Sequence, residues 1–186
     1  MAKRALVVLT HGVEDIEAVA PIDVLTRAGV EVTVASTDDG LVKAAYGTTI
    51  VPTTTLAKVA DELFDAIVVP GGVKNAQGLA ADERVVQMVR RHAETEKIVA
   101  SICASPGTVL AEAAGILSGC RATGDPGFNN KLAATGAIVT DEDVTISGNI
   151  ITARGPGAAL QFALAIARRL TGDRVPDELA ERWRLA

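Results

Sequence analysis

Short runs of apolar and β-branched residues alternate along this chain with longer stretches in which apolar residues recur every three or four positions. The first pattern is typical of buried strands and the second of amphipathic helices. Strands are predicted at residues 5–9, 30–35, 66–70, 98–102, 138–140, 144–147 and 150–153, and helices at 16–28, 56–63, 82–94, 106–116 and 158–170. Strands that alternate with helices in this way predict parallel pairing and an α/β fold.

Three segments refine this picture. Residues 66–70 are apolar throughout, as expected for a central strand covered on both faces. Residues 41–52 carry turn residues followed by β-branched ones, which predicts a hairpin or an excursion at the sheet edge. The helix at 82–94 has one apolar stripe, with His92 at its border.

The length and composition of the chain fit one globular domain. Its 186 residues are 48% hydrophobic and 22% charged, enough apolar material for a core of its own. No repeat, linker-like tract or change of composition divides the chain. We therefore expect residues 1–186 to form a single domain, a doubly wound α/β sandwich with a mainly parallel central sheet.

Charge and cysteine content limit the binding partners and the cellular compartment that are expected for this chain. The formal net charge is −5 and the basic residues form no patch, which argues against nucleic acid and a membrane surface as partners. Without a signal peptide or a long apolar run, a cytoplasmic protein is expected. Cys103 and Cys120 are expected to be thiols, since a cytoplasmic chain of this size needs no disulfide. His11 and His92 lie far from them in sequence, so neither a metal site nor a cofactor is expected.

Unusual residues gather where the predicted strands end. Ligands of doubly wound sheets bind beyond the carboxyl ends of the parallel strands. Here those ends are followed by residues 11–17, 71–75 and 103–106. We expect the functional site, and a small-molecule ligand, at this edge.

Cys103 is the leading candidate for chemistry. It follows a buried strand and precedes a helix that starts near Pro106, which predicts a tight turn of the nucleophile-elbow kind. A helix N-terminus favours the thiolate, so we expect a lowered pKa for this thiol. The alternative is a small buried hydrophobic residue that ends a strand.

Glu14, Asp15 and Glu17 occupy the loop and the first helical turn after the first strand. Carboxylates at this position can simply stabilise the helix dipole. Glu17 lies deepest in the helix, beside apolar neighbours, so it can also project toward the strand ends. Burial would raise its pKa and let it hold a proton for Cys103. Spacing alone leaves both interpretations open.

Gly71 and Gly72 can turn backbone N–H groups toward a ligand, although such a pair is commonly a plain turn. If this turn adjoins Cys103, the N–H groups of Gly72 and Ala104 would form an oxyanion hole. Gly71, Val73 and Ser105, which follow the strand ends, are expected to line the pocket. His11 is expected at the rim or in solvent, and Cys120 in a structural place at the opposite edge.

Four segments in order carry a family resemblance: GVEDIE at 12–17, VVPGG at 68–72, SICASP at 101–106 and RGPG at 154–157. Together they resemble the ThiJ/PfpI superfamily, specifically its small dimeric deglycase branch, over nearly the whole chain. The resemblance implies a flavodoxin-like fold, a homodimer, a reactive Cys103 and a protonated Glu17 hydrogen-bonded to its sulfur. It also implies oxyanion-hole N–H groups from Gly72 and Ala104, and support of the dimer or the pocket surroundings by Arg27 and Arg154. On the same resemblance, Asp125, Pro126 and Arg154 are expected to line the pocket.

One position departs from the family pattern. Many members carry a histidine beside the cysteine, just before a proline that aligns with Pro126, where this chain has Asp125. An aspartate cannot act as a neutral imidazole base, so Glu17 is left as the acid-base group. The amidotransferase and protease branches need further histidines, but none follows His92 and Ala104 follows the cysteine directly.

The sequence therefore favours a cofactor-independent, cysteine-dependent enzyme of metabolite-damage control. Its substrates would be small reactive carbonyl or acyl compounds, in a glyoxalase-like, deglycase-like or acyl-anhydride hydrolase reaction. A second hypothesis is a non-enzymatic redox sensor or stress-protective protein, in which Glu17 stabilises a sulfinate on Cys103. A third keeps the fold as a dimeric scaffold with an inert thiol.

Overall fold

The computed structural model describes residues 2–185 and places helices on both faces of a seven-stranded sheet. The strands are β1 Arg4–Leu9, β2 Glu31–Ser36, β3 Val42–Lys43, β4 Thr49–Ile50, β5 Thr54–Thr55, β6 Ala66–Val69, β7 Ile98–Ile102, β8 Arg121–Ala122, β9 Ile138–Val139, β10 Val144–Ser147 and β11 Ile150–Ala153. The α-helices are α1 Asp15–Arg27, α2 Leu56–Val59, α3 Val73–Ala81, α4 Glu83–Glu94, α5 Asn129–Ala134, α6 Ala159–Thr171 and α7 Arg174–Trp183. A π-helix covers Pro106–Ala113, and 3₁₀ helices cover Pro126–Phe128 and Pro156–Ala158.

The order of strands in the main sheet is β10-β11-β7-β6-β1-β2-β5. Every neighbouring pair is parallel except β10 with β11, which is antiparallel. The α/β fold with a mainly parallel sheet is thus confirmed. The hairpin predicted within residues 41–52 is also confirmed, as the antiparallel pair of β3 and β4.

Apolar side chains form one cluster on each face of the sheet. Successive side chains of a strand point to opposite faces, so a central strand must be apolar at every position. In β1, Val7 belongs to the cluster that contains Phe162 of α6, and Val8 to the cluster that contains Val89 of α4. The sheet is therefore covered on both sides. This leaves the ends of its strands as the place where candidate site residues can meet a ligand.

Four α-helices differ from prediction: α3, α5 and α7 were not predicted, and α2 is shorter than expected. The helix predicted at 56–63 ends at Val59, because the carbonyls of Ala60 and Glu62 accept hydrogen bonds from Arg91 at 2.8 and 2.7 Å. The α3 helix was missed; it contains Gly78, a poor helix former. A Cβ at Gly78 would come within 2.9 Å of Thr10, so close packing explains this glycine.

His92 is fully buried and does not lie at the border of its helical stripe, so that prediction was wrong. Its Nδ1 is 2.7 Å from the carbonyl oxygen of Met88, and its Nε2 accepts the Phe64 N–H at 3.2 Å. The ring thus has a polar partner at each nitrogen, which makes its burial possible.

No helix within residues 2–185 is both long and apolar enough to cross a membrane. In the same part of the chain, no group of three or more His, Cys, Asp or Glu side chains is arranged to hold a metal ion. Cys103 and Cys120 are both free thiols.

Candidate active site

The carboxyl ends of three neighbouring strands meet at one point. β1, β6 and β7 lie side by side in the sheet and run parallel. Glu17 lies in the first turn of α1 after β1, Gly71 and Gly72 follow β6, and Cys103 follows β7. Strand order therefore brings together the residues that the sequence placed at this edge.

Cys103 occupies a strained turn. Its φ of +66° lies in the left-handed region, which residues other than glycine rarely adopt. Two hydrogen bonds hold it there: its N–H donates to the Ala153 carbonyl at 2.9 Å, and its carbonyl accepts the Asp125 N–H at 2.8 Å. A Cβ at Gly124 would lie 3.0 Å from that same carbonyl oxygen. The surrounding backbone thus fixes the elbow.

The peptide between Pro70 and Gly71 is oriented from both sides. The Pro70 carbonyl accepts hydrogen bonds from the Ser105 hydroxyl at 2.6 Å and from the Asn75 amide at 2.9 Å. The C=O and N–H of a trans peptide point in opposite directions. These two buried side chains therefore aim the Gly71 N–H at Glu17 Oε2, which it reaches at 2.9 Å.

The next N–H along the chain points at the sulfur. The backbone N–H groups of Gly72 and Ala104 lie beside the Cys103 thiol, and each lowers its pKa. Gly72 has a φ of +88°, and a Cβ there would overlap the carbonyl oxygen of Gly12. A glycine is thus required for this N–H to face the sulfur. Two N–H donors beside a nucleophile have the arrangement of an oxyanion hole.

Glu17 is fully buried, and this burial raises the pKa of its carboxyl to about 7. Repulsion from Glu14 adds to the rise, in the direction that the sequence predicted. Glu14 itself caps α1, since its Oε2 accepts the Glu17 N–H at 2.8 Å. Glu17 Oε1 has no hydrogen-bond partner within residues 2–185, and the Cys103 thiol lies close enough to affect the pKa of this carboxyl.

The pKa of the Cys103 thiol is raised to about 12, so the predicted lowering was wrong. Burial is the main cause and the charge of Glu17 adds to it, and together they outweigh the two backbone N–H groups. The thiol and the carboxyl form a coupled pair, from which the first proton leaves far more easily than the second. A thiolate on Cys103 therefore requires its proton to reside on Glu17.

A cleft of about 780 Å³ opens onto Cys103. Its lining comprises His11, Gly12, Glu14, residues 43–46, residues 72–74, Asp125 and Pro156. Val73 and Asp125 are thus in the lining, as expected. His11 is exposed at the rim, and its Nδ1 accepts the Lys43 N–H at 3.0 Å.

Four residues expected in the lining lie outside it: Gly71, Ser105, Pro126 and Arg154. Gly71 and Ser105 are buried behind the site, where they orient Glu17 and Pro70. Pro126 starts a 3₁₀ helix at the surface. The Arg154 guanidinium is paired with Asp141.

Asp15 has a structural role that sequence reasoning did not find. Its carboxylate accepts the N–H groups of Tyr46 and Thr48, each at 2.9 Å. These bonds hold the β3–β4 loop as one wall of the cleft. The partners lie more than 30 residues apart, so no local signal marked them.

Two other residues lie apart from the reactive pair. Arg27, in the last turn of α1, pairs with Asp23 at 2.9 Å and lies over the Trp183 ring at 5.5 Å. Cys120 is 3.9 Å from the Ile116 carbonyl oxygen and packs against the core.

The parallel sheet, the cysteine elbow and the buried carboxyl beside it define a flavodoxin-like protein with a candidate cysteine site. The model of the DJ-1/PfpI family matches residues 3–169. The chain therefore belongs to the DJ-1/PfpI family.

Three relatives match this chain over nearly their full length. Protein dj-1beta of Drosophila melanogaster is 40% identical over 182 residues, which cover 97% of this chain and 96% of that protein. Its crystal structure has a TM-score of 0.94 and covers 100% of both chains at 38% identity. The structure of oxidized DJ-1 from Toxoplasma gondii has a TM-score of 0.93, at 33% identity and 100% coverage of both chains. The glutathione-independent glyoxalase DJR-1.2 of Caenorhabditis elegans is 34% identical over 185 residues, 99% of this chain and 97% of that protein.

Proposed function

We propose that this protein is a cysteine-dependent enzyme that acts on small reactive carbonyl or acyl compounds, in the manner of a glyoxalase or deglycase. The observation that carries the proposal is the Cys103–Glu17 pair, with the N–H groups of Gly72 and Ala104 at the sulfur. The name of the Caenorhabditis elegans relative, a glutathione-independent glyoxalase, supports this reaction class.

With methylglyoxal, the sulfur of Cys103 attacks the aldehyde carbon while the thiol proton passes to ionised Glu17. The carbonyl electron pair moves to oxygen, where the Gly72 and Ala104 N–H groups stabilise the negative charge. Glu17 then returns the proton to that oxygen, which gives a hemithioacetal.

The proton on the former aldehyde carbon then moves to the adjacent carbon, and the hydroxyl proton moves to the oxygen of that carbon, which completes an internal redox step. The first carbon is oxidised to a thioester and the second is reduced to an alcohol. Water then breaks the C–S bond, which releases lactate and restores the Cys103 thiol. Methylglyoxal plus one water balances lactic acid, so no external oxidant or reductant is needed.

The test is conversion of methylglyoxal to lactate by metal-stripped protein, with Cys103→Ser and Glu17→Gln measured beside it. Both variants should lose turnover, while Cys120→Ser, the matched thiol control, should keep it. Full turnover in Cys103→Ser would show that the nucleophile is another group.

A second candidate function is redox sensing through Cys103, favoured by one specific feature. Glu17 Oε1 is buried without a nitrogen or oxygen partner, so a protonated Glu17 has a hydrogen to donate to a sulfinate oxygen. Two equivalents of peroxide convert the thiol to the sulfinate and release two waters. One relative was solved in an oxidized form.

Mass spectrometry after peroxide titration separates the two functions. A sensor should accumulate the Cys103 sulfinate in the wild type and proceed beyond it, or stop short of it, in Glu17→Gln, without any substrate turnover. An enzyme should turn over substrate and lose activity as the sulfinate forms. A wild type with no stable sulfinate would exclude the sensor.

We also infer a homodimer in the cytoplasm. Ile16 and Val19 on α1 are 53% and 47% exposed, apolar surface of the kind that subunit contacts cover. The two free thiols fit a reducing compartment. Light scattering on the purified protein tests the dimer, and a monomer at micromolar concentration would contradict it.

A further inference from the structure

Asp125 lies beside the reactive cysteine and is held there by two hydrogen bonds. Its N–H donates to the Cys103 carbonyl at 2.8 Å, and its Oδ1 accepts the Gly127 N–H at 2.8 Å. Its side chain lines the same cleft as Cys103 and is half-buried. The charge of Asp125 also acts on Glu17 across this cleft. A carboxylate with one oxygen bound by the Gly127 N–H thus lines the cleft that opens onto Cys103.

The other proton-accepting groups at the cleft already accept hydrogen bonds from backbone N–H groups. Glu17 is fully buried, is bound by the Gly71 N–H and serves the thiol. Glu14 uses Oε2 to cap α1, and only 7% of this residue is exposed. His11 Nδ1 accepts the Lys43 N–H at the rim. Asp125 is the remaining carboxylate in the lining of the cleft.

We propose that Asp125 is the general base that activates water against the acylated Cys103. This inference rests on the proposed function and deepens it. A water proton passes to Asp125 while the water oxygen bonds to the thioester carbon. The resulting oxyanion collapses, the C–S bond breaks, and the leaving sulfur takes a proton from Glu17. Asp125 then returns its proton to solvent, and Glu17 is left ionised, ready to accept the thiol proton of the next cycle. The two carboxyls thereby have different roles: Glu17 exchanges the proton of the sulfur, and Asp125 removes a proton from the attacking water.

The experiment separates these two half-reactions with 4-nitrophenyl acetate as the probe. Acetylation of Cys103 releases one equivalent of nitrophenolate in a burst, and hydrolysis of the acetyl-enzyme sets the steady state. Asp125→Asn keeps an oxygen for the Gly127 N–H but removes the base. We expect its burst to remain within about threefold of wild type and its deacylation to slow about 100-fold or more. Intact-mass spectra should then show the acetyl group on Cys103.

Three further variants test whether the effect comes from the carboxylate of Asp125. Asp125→Glu should recover most of the deacylation rate, because it restores a carboxylate. Asp125→Ser, whose hydroxyl can also accept the Gly127 N–H, should deacylate as slowly as Asp125→Asn and serves if that variant misfolds. Asp61→Asn, which removes an exposed carboxylate elsewhere on the surface, should match wild type.

The outcomes distinguish this inference from the proposed function. A wild type without a burst, or a burst retained in Cys103→Ser, would overturn both. A normal burst followed by wild-type deacylation in Asp125→Asn would overturn only the role of Asp125. A burst and a deacylation that slow together would show a structural role and would also overturn it. Slow deacylation in Glu14→Gln instead, with Asp125→Asn unaffected, would move the base to Glu14.

Discussion

The hydroxyl of Ser105 donates a buried hydrogen bond of 2.6 Å to the carbonyl oxygen of Pro70. This bond links the turn after β7 to the turn after β6. The bond fixes the peptide between Pro70 and Gly71, whose N–H reaches Glu17. The position of the Glu17 carboxyl therefore depends on the turn that carries Cys103. Neither residue lines the cleft, yet together they set the spacing of the reactive pair.

Replacement of Ser105 by alanine should therefore reduce both stability and reactivity. The Pro70 carbonyl would keep only the Asn75 amide as a partner, and the loss of one hydrogen bond costs about 0.5–1.5 kcal/mol. Urea unfolding measures the loss of stability, and the rate of iodoacetamide modification reports the Cys103 thiol. Ser118→Ala, at an exposed serine, is the matched control and should change neither. Wild-type stability in Ser105→Ala would contradict this role of the bond.

Gly72→Ala should damage the site far more than a glycine substitution elsewhere. The added Cβ would overlap the Gly12 carbonyl oxygen, in a residue whose φ is +88°. Gly115 has a similar φ of +68° but open space around its Cβ position. Gly115→Ala should cost about 1–2 kcal/mol for backbone conformation alone. Gly72→Ala should cost more than that and should abolish turnover, since its N–H can no longer face the sulfur. Equal unfolding free energies for the two variants would show that the overlap relaxes freely.

The buried carboxyl of Glu17 should make stability fall as pH rises. Its pKa is about 7 when folded against the ordinary 4.5, so the folded state binds the extra proton between these values. The stabilisation is complete below pH 4.5 and is lost as pH rises through 7. The difference corresponds to about 3 kcal/mol at 1.36 kcal/mol per pKa unit.

Glu17→Gln should remove this pH dependence, because the amide does not titrate. The difference in unfolding free energy between wild type and Glu17→Gln, measured by urea at several pH values, should slope between pH 4.5 and 7. Glu94→Gln, at an exposed glutamate on α4, should give no such slope. A parallel pair of curves for wild type and Glu17→Gln would mean that the carboxyl titrates normally.

Local patterns sufficed for the parts of the site that depend on chain order. Cys103, Gly72 and Glu17 each follow a predicted strand, and the topology of a parallel sheet brings such ends together. Contacts between segments distant in sequence were not accessible in this way. Asp15 meets Tyr46 across 31 positions, and Ser105 meets Pro70 across 35.

The predicted direction of the Cys103 pKa shift was wrong for the same reason, because the shift depends on contacts between distant segments. A helix N-terminus is a local feature that the sequence displays, and it does contribute through the Ala104 N–H. Burial and a neighbouring carboxylate are consequences of packing, and they outweigh it. Arg154 was placed in the lining by resemblance, but its partner Asp141 holds the side chain outside the cleft.

His92 should produce the opposite pH dependence to Glu17. Burial lowers its pKa below the ordinary 6.5, and the charges of Arg91 and Lys97 add to the shift. Below pH 6.5 the unfolded chain therefore binds a proton that the folded protein excludes, so stability falls as pH drops. Protonation would also break the bond from the Phe64 N–H to Nε2. His92→Leu should be less stable than wild type at pH 8 by about 1–3 kcal/mol, for the unpaired N–H, but should lose less on acidification. His11→Leu, at the exposed histidine, is the control. An acid loss in His92→Leu as large as in wild type would assign that loss to other groups.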